Sequence, residues 1–149
     1  MTDRGRIPAL FGAAALLLPG IAVAAVKPAQ LVARLTPTQE SPPQHVRNLQ
    51  ASGTFTVTAR PANNGYRLLW KLTFTRLSGA ATSAYVHRGI RGTHGPALIH
   101  LCSPCRSGAS GNEYLSPPEL TLARQGKLYV NVRTLRNPDG EIRGQLRVS

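Results

Sequence analysis

Acidic residues are scarce in this chain: six Asp and Glu stand against 18 Lys and Arg in 149 residues. So few carboxylates leave little material for general acid–base or glycosidase-type chemistry, which needs positioned carboxyl pairs. Aromatic residues are equally thin, at 5% with a single Trp, which argues against a nucleic-acid binder built on stacking platforms. No Gly-x-Ser-x-Gly elbow, phosphate loop or His-Glu-x-x-His pair is present, so the commonest catalytic signatures are missing. Beyond residue 26 no uncharged run is long enough to span a bilayer. Neither an internal repeat nor a second-domain boundary can be found, and the length suits one domain.

The residues that are plentiful point elsewhere. Hydrophobic residues make up 42% of the chain, which is not the composition of a disordered basic tail. Fourteen Gly and 12 Pro punctuate it too densely for long helices. The net charge of +12 comes largely from arginine.

Residues 1–25 read as a secretory signal peptide. Arg4 and Arg6 precede an uncharged run from Ile7 to Val26, Pro19-Gly20 breaks it, and Ala22-Val23-Ala24 supplies the small residues a signal peptidase reads, with cleavage after Ala24 or Ala25. The mature domain is then 26–149, secreted or periplasmic, without a membrane span. Loss of Arg4, Arg6 and Asp3 lowers the net charge only to +11.

From Leu31 onward the apolar period is two. In Tyr66 to Thr75 every even position is apolar, and Phe55 and Val57 alternate with Thr54, Thr56 and Thr58. Such segments fit strands with one buried and one wet face. Leu128, Val130 and Val132 likewise alternate with Tyr129, Asn131 and Arg133, while Ile142, Leu146 and Val148 alternate with Arg143, Gln145 and Arg147. Asn137-Pro138-Asp139-Gly140 between the last two predicts a hairpin, with proline suited to φ near −65° and glycine to positive φ. Gln30–Leu35, Ser83–His87, Ala97–Leu101 and Leu120–Ala123 complete about eight short antiparallel strands. Pro37–Gln50, Arg60–Gly65, Arg88–Pro96 and Cys102–Pro118 read as loops. The expected class is all-β, a Greek-key or immunoglobulin-like sandwich or barrel.

Export places Cys102 and Cys105 in an oxidising compartment, where a disulfide is the expected state. A second reading makes the same region a metal or redox centre resembling superoxide dismutase, with His87, His100 and the cysteine pair as ligands.

Three separated segments carry a family resemblance. Leu35-Thr36-Pro37-Thr38-Gln39-Glu40-Ser41-Pro42-Pro43 is similar to the opening strand and Gln-Glu-x-Pro-Pro turn of chordin-type, or CHRD, domains. Ala84-Tyr85-Val86-His87-Arg88-Gly89, followed by Gly92 and Gly95-Pro96-Ala97, resembles their Ala-His-Ile-His-x-Gly…Gly-Pro segment. Tyr129 to Thr134, with Asn137 to Leu146, resembles their Tyr-Val-Asn-Val-His-Thr…Pro-x-Gly-Glu-Ile-Arg-Gly-Gln signature. The resemblance implies an extracytoplasmic β-fold of bacterial secreted proteins and of chordin, a secreted antagonist that binds growth factors, with no enzymatic activity established for the family. This chain departs from the pattern at two histidines: Tyr85 replaces the first of the His-x-His pair and Arg133 replaces the third.

The function expected from these observations is a non-catalytic binding module without cofactor or resident metal. Its partner is an extracytoplasmic protein or polyanion rather than nucleic acid. Arg133, Arg143, Glu141, His87 and Arg88 are the candidate ligand-binding residues, because Arg133, Glu141 and Arg143 occupy the polar phase of neighbouring strands. The same charges also suit an ion-paired cluster that fixes hairpin register.

Overall fold

The computed structural model describes residues 27–149. The signal-peptide reading of residues 1–25 lies outside them. Nine strands and one short helix follow in order: β1 (Ala29–Leu35), β2 (Ser52–Ala62), β3 (Gly65–Thr75), β4 (Ala81–Arg88), β5 (Ala97–Cys102), β6 (Ala109–Leu115), α1 (Pro117–Arg124), β7 (Leu128–Thr134), β8 (Ile142–Gln145) and β9 (Arg147–Val148). They form two antiparallel sheets, one of order β6-β3-β2-β1-β9 and one of order β5-β4-β7-β8, packed as a sandwich. Of the two architectures expected, the sandwich is the one found.

The inner layer follows from the period-two pattern. Leu31, Ala33 and Leu35 of β1, Phe55, Val57 and Ala59 of β2, and Leu68, Trp70 and Leu72 of β3 face Ala84, Val86, Val130, Val132 and Ile142 across one buried core. Each fully buried large apolar side chain contributes roughly 1.5–3 kcal/mol. The register Val57↔Trp70 and Phe55↔Leu72 sets Phe55 and Trp70 with ring centroids 6.0 Å apart. The Asn137 to Gly140 turn closes the β7–β8 hairpin as expected, with the Gly140 amide donating to the Asn137 carbonyl at 3.1 Å.

Three expectations are corrected. Leu120–Ala123 is helical rather than extended: Ser116 precedes Pro117 and Pro118, and the Glu119 carboxylate accepts hydrogen bonds from the Ser116 amide and hydroxyl. That is a capping arrangement, and it outweighs a weak strand preference. Within the expected loop Cys102–Pro118 lies β6, which gains its strand character by pairing with β3 from Tyr66↔Leu115 to Leu72↔Ala109. The final segment is not one strand: β8 pairs with β7, the chain crosses between layers at buried Leu146, and β9 pairs with β1.

Cys102 and Cys105 form the expected disulfide, with Cα atoms 5.2 Å apart. No helix among the described residues is long and apolar enough to cross a membrane.

Candidate functional site

The polar phase of β4, β7 and β8 was expected to face water. Instead it faces a second, polar core. The registers Tyr85↔Asn131↔Arg143 and His87↔Tyr129↔Gln145 align these side chains in two rows across the four-stranded sheet. Two loops lie over them: the segment after β1 that carries Glu40, and Gly89 to Pro96. Ser41 fastens one loop to the other by donating from Oγ to the Gly92 carbonyl at 2.8 Å.

Arg143 is therefore 2% exposed rather than on a wet face. Its guanidinium carbon stands 3.5 Å from the Tyr129 ring centroid, and Nη2 donates to the Ile90 carbonyl at 3.0 Å. Face-on packing of this kind replaces part of the lost hydration with cation–π attraction. Gln145 Nε2 donates to the carbonyls of Gly89 and Gly126 at 2.6 and 2.7 Å, holding the second loop down.

His87 stacks on Tyr129 with ring centroids 4.9 Å apart. Its Nδ1 lies 3.0 Å from the Gly95 carbonyl, which can only accept, so Nδ1 carries the proton and Nε2 is the bare nitrogen. Burial is the main cause that pushes the His87 pKa down and keeps the ring neutral, and Nε2 has no partner among the described residues.

Glu40 was not singled out from the sequence as a site residue. It sits under the first loop, 7% exposed, with both carboxyl oxygens accepting from Asn131 Nδ2 at 3.0 and 3.1 Å. Burial pushes its pKa up to about 8, against the pull of Arg143 and of the Asn131 hydrogen bond. Gly140 completes the enclosure with φ of 146°: a Cβ there would lie 2.6 Å from both Glu40 oxygens and against Asn131 Nδ2. The signal available in the sequence was Glu40's place in the Gln-Glu-x-Pro-Pro segment.

Glu141 was expected on the same wet face as Arg143. It is fully buried, and it accepts from the Ser78 amide and hydroxyl at 2.6 and 2.7 Å, Thr134 Oγ1 at 2.7 Å and Asn137 Nδ2 at 3.3 Å. It anchors the hairpin through neutral donors, not through an ion pair with Arg143. Arg133 is only half-buried. Its guanidinium lies 4.8 Å from the Tyr85 centroid, and Nε donates to Asn131 Oδ1 at 3.3 Å. The two positions that depart from the histidine pattern are thus in contact, and a fixed cation stands where imidazole would. Arg88 is exposed at the end of β4.

The metal reading gains no support from this geometry. His100 packs against Tyr85 at 4.9 Å between centroids, and both cysteines are in the disulfide. Among the described residues no three His, Cys, Asp or Glu side chains converge as a metal-binding group.

The three motif segments, far apart in sequence, meet here: Glu40 from the first, His87 and Gly95 from the second, and Tyr129, Asn131, Gly140 and Arg143 from the third. A comparison with protein-family models matches residues 31–146 to the CHRD domain. No curated protein and no solved structure gives a match. A match over most of the chain, with its three motif segments meeting in one buried polar cluster, shows that this chain belongs to the CHRD domain family.

Proposed function

We propose that this protein is an extracytoplasmic binding module that recognises an anionic partner through its basic surface. The observation that carries the reading is how one-sidedly its charges are placed. On the five-stranded sheet, Arg34, Arg60, Arg67 and Lys71 take outward register positions among Thr54, Thr56 and Thr58. None of the five carboxylates among residues 27–149 takes an outward register position on that face, although Glu113 at the β6 edge lines a shallow groove with Arg67. Glu40 and Glu141 are buried, Glu119 caps α1, Asp139 lies in the hairpin turn, and Glu113 stands opposite inward-facing Leu68. A surface with one sign of charge attracts and orients oppositely charged ligands over roughly a Debye length, about 8–10 Å near physiological salt.

Arg88 and half-exposed Arg133 add positive charge on the second sheet, on the other side of the sandwich. Arg143, Glu141 and His87 support it from beneath, by holding the loops and the hairpin in place. The signal-peptide reading and the disulfide support a location outside the cytoplasm.

Chromatography of the mature protein on immobilised heparin tests the reading. Retention at low salt with release on a salt gradient is expected. Passage through the column unretained at low salt would refute it.

A further inference from the structure

Three grooves run end to end along one border of the sandwich. The first, about 440 Å³, lies between the end of β1 and the ends of β2 and β3, with Arg34, Thr36, Thr54, Thr73 and Thr75 in its walls. The second, about 390 Å³, shares Arg34 and Thr36 with it and adds Gln39, Arg91, Gln145 and Arg147. The third, about 400 Å³, shares Arg91, Gln145 and Arg147 with the second and reaches Arg124. Shared walls make the three one track, with arginines at both junctions and at the far end.

No carboxylate lines any of the three. The guanidiniums of Arg67, Arg76, Arg133 and Arg143 are engaged with Asn112, Gln50, Asn131 and Ile90. Those of Arg34, Arg91, Arg124 and Arg147 are exposed and hydrogen-bond to no protein group among the described residues. They are therefore available as planar, two-pronged donors, a geometry that matches carboxylate and sulfate.

Resting on the proposal that the basic surface binds anions, we propose that this track is the binding site for a linear acidic polysaccharide, bearing uronate or sulfate groups. Each groove is the size that encloses a drug-sized molecule rather than one small ion. Their continuity calls for a polymer. The remaining walls are rich in hydroxyl and amide side chains, the partners that sugar hydroxyls require. Gln145 is held rigidly between the second and third grooves by its two backbone hydrogen bonds. Phe74 is the one aromatic residue in the lining, so a single-stranded nucleic acid would find almost nothing to stack on. A protein partner would need an apolar centre to its interface. Of the exposed large apolar residues only Val148 borders the track.

The test is titration of the mature protein with heparin-derived oligosaccharides of increasing length, from disaccharide upward, at several salt concentrations. Affinity should rise with length and level off once the track is filled. The variant Arg91→Gln/Arg147→Gln should bind the long oligosaccharides about tenfold more weakly per arginine removed. The slope of log affinity against log salt should fall by about one per arginine. Arg106→Gln/Arg136→Gln, exposed and in the lining of none of the three grooves, should change affinity much less. Unchanged binding by Arg91→Gln/Arg147→Gln, with the wild type binding well, would overturn the track and leave the basic-surface reading standing. A wild type that binds no oligosaccharide would overturn both. Affinity that is flat from the disaccharide upward would reduce the track to a local anion contact. Equal or tighter binding of oligo-dT of matched charge would make the ligand a nucleic acid. Both substituted side chains are exposed, so thermal unfolding like that of the wild type is expected to accompany the loss.

Discussion

Changing Glu40 to Gln should remove a pH dependence from the stability of this domain. The folded carboxyl holds its proton up to a pKa of about 8, against a usual 4.5, because it is buried beneath the loop that carries it. Between those values the unfolded chain has released a proton that the folded chain still binds, so stability falls as pH rises through the interval. At about 1.4 kcal/mol per unit the whole interval is worth on the order of 5 kcal/mol, of which about 1.5–2 kcal/mol falls between pH 6.5 and 8. His87 acts in the other direction and in another range. Its depressed pKa means that the unfolded chain takes up a proton more readily, so its contribution is lost as pH falls below about 6.5. The range from pH 6.5 to 8 therefore isolates Glu40.

Gln keeps the shape and can still accept from Asn131 Nδ2, but it has no proton to lose. For a domain of this size about 2 kcal/mol corresponds to roughly 6–8 °C in Tm. Thermal unfolding followed by circular dichroism at half-unit steps from pH 6.5 to 8 should show the wild type losing that much and Glu40→Gln losing little. Parallel curves for the two proteins would refute the argument that a buried, protonated Glu40 sets the slope.

Two further outcomes follow from the same geometry. Gly140→Val should destabilise the fold by about 2–4 kcal/mol, because φ of 146° disfavours a β-branched residue and its Cβ would meet Glu40 and Asn131; an unchanged Tm would mean that the turn is built differently. Replacing Cys102 and Cys105 together by Ser should cost about 2 kcal/mol, the small value expected when a bridge closes a short loop. Two titratable thiols in the native, oxidised protein would contradict that bridge.

Most of the strands were legible because their inner faces are regular. Phe55, Val57, Trp70 and Leu72 announce a half-buried pleat without any knowledge of what they pack against. β6 was not legible, since Ala109 to Leu115 has no run of β-branched residues and becomes a strand only beside β3. The helix at Pro117 was missed although Ser116 and Glu119 carry its start, because the apolar residues after them are too few to show a period. At the candidate site the residues were named but their setting was not. Arg143 and Glu141 read as surface charges, and both are buried.

The sequence by itself determined the all-β class, the inner core, the hairpin at Asn137–Gly140, the disulfide and the family. Each rests on local spacing or on short motifs, which survive without knowledge of the partner strands. The tertiary structure alone decided what covers the outer face of the four-stranded sheet. Period two says which side chains share a face, but water or protein beyond that face depends on loops distant in sequence. Here the loops bearing Glu40 and Gly95 turn a polar stripe into a second core. Four of the exposed cations, Arg34, Arg91, Arg124 and Arg147, share one border although they lie far apart in the chain, and they meet only through the packing of the two sheets.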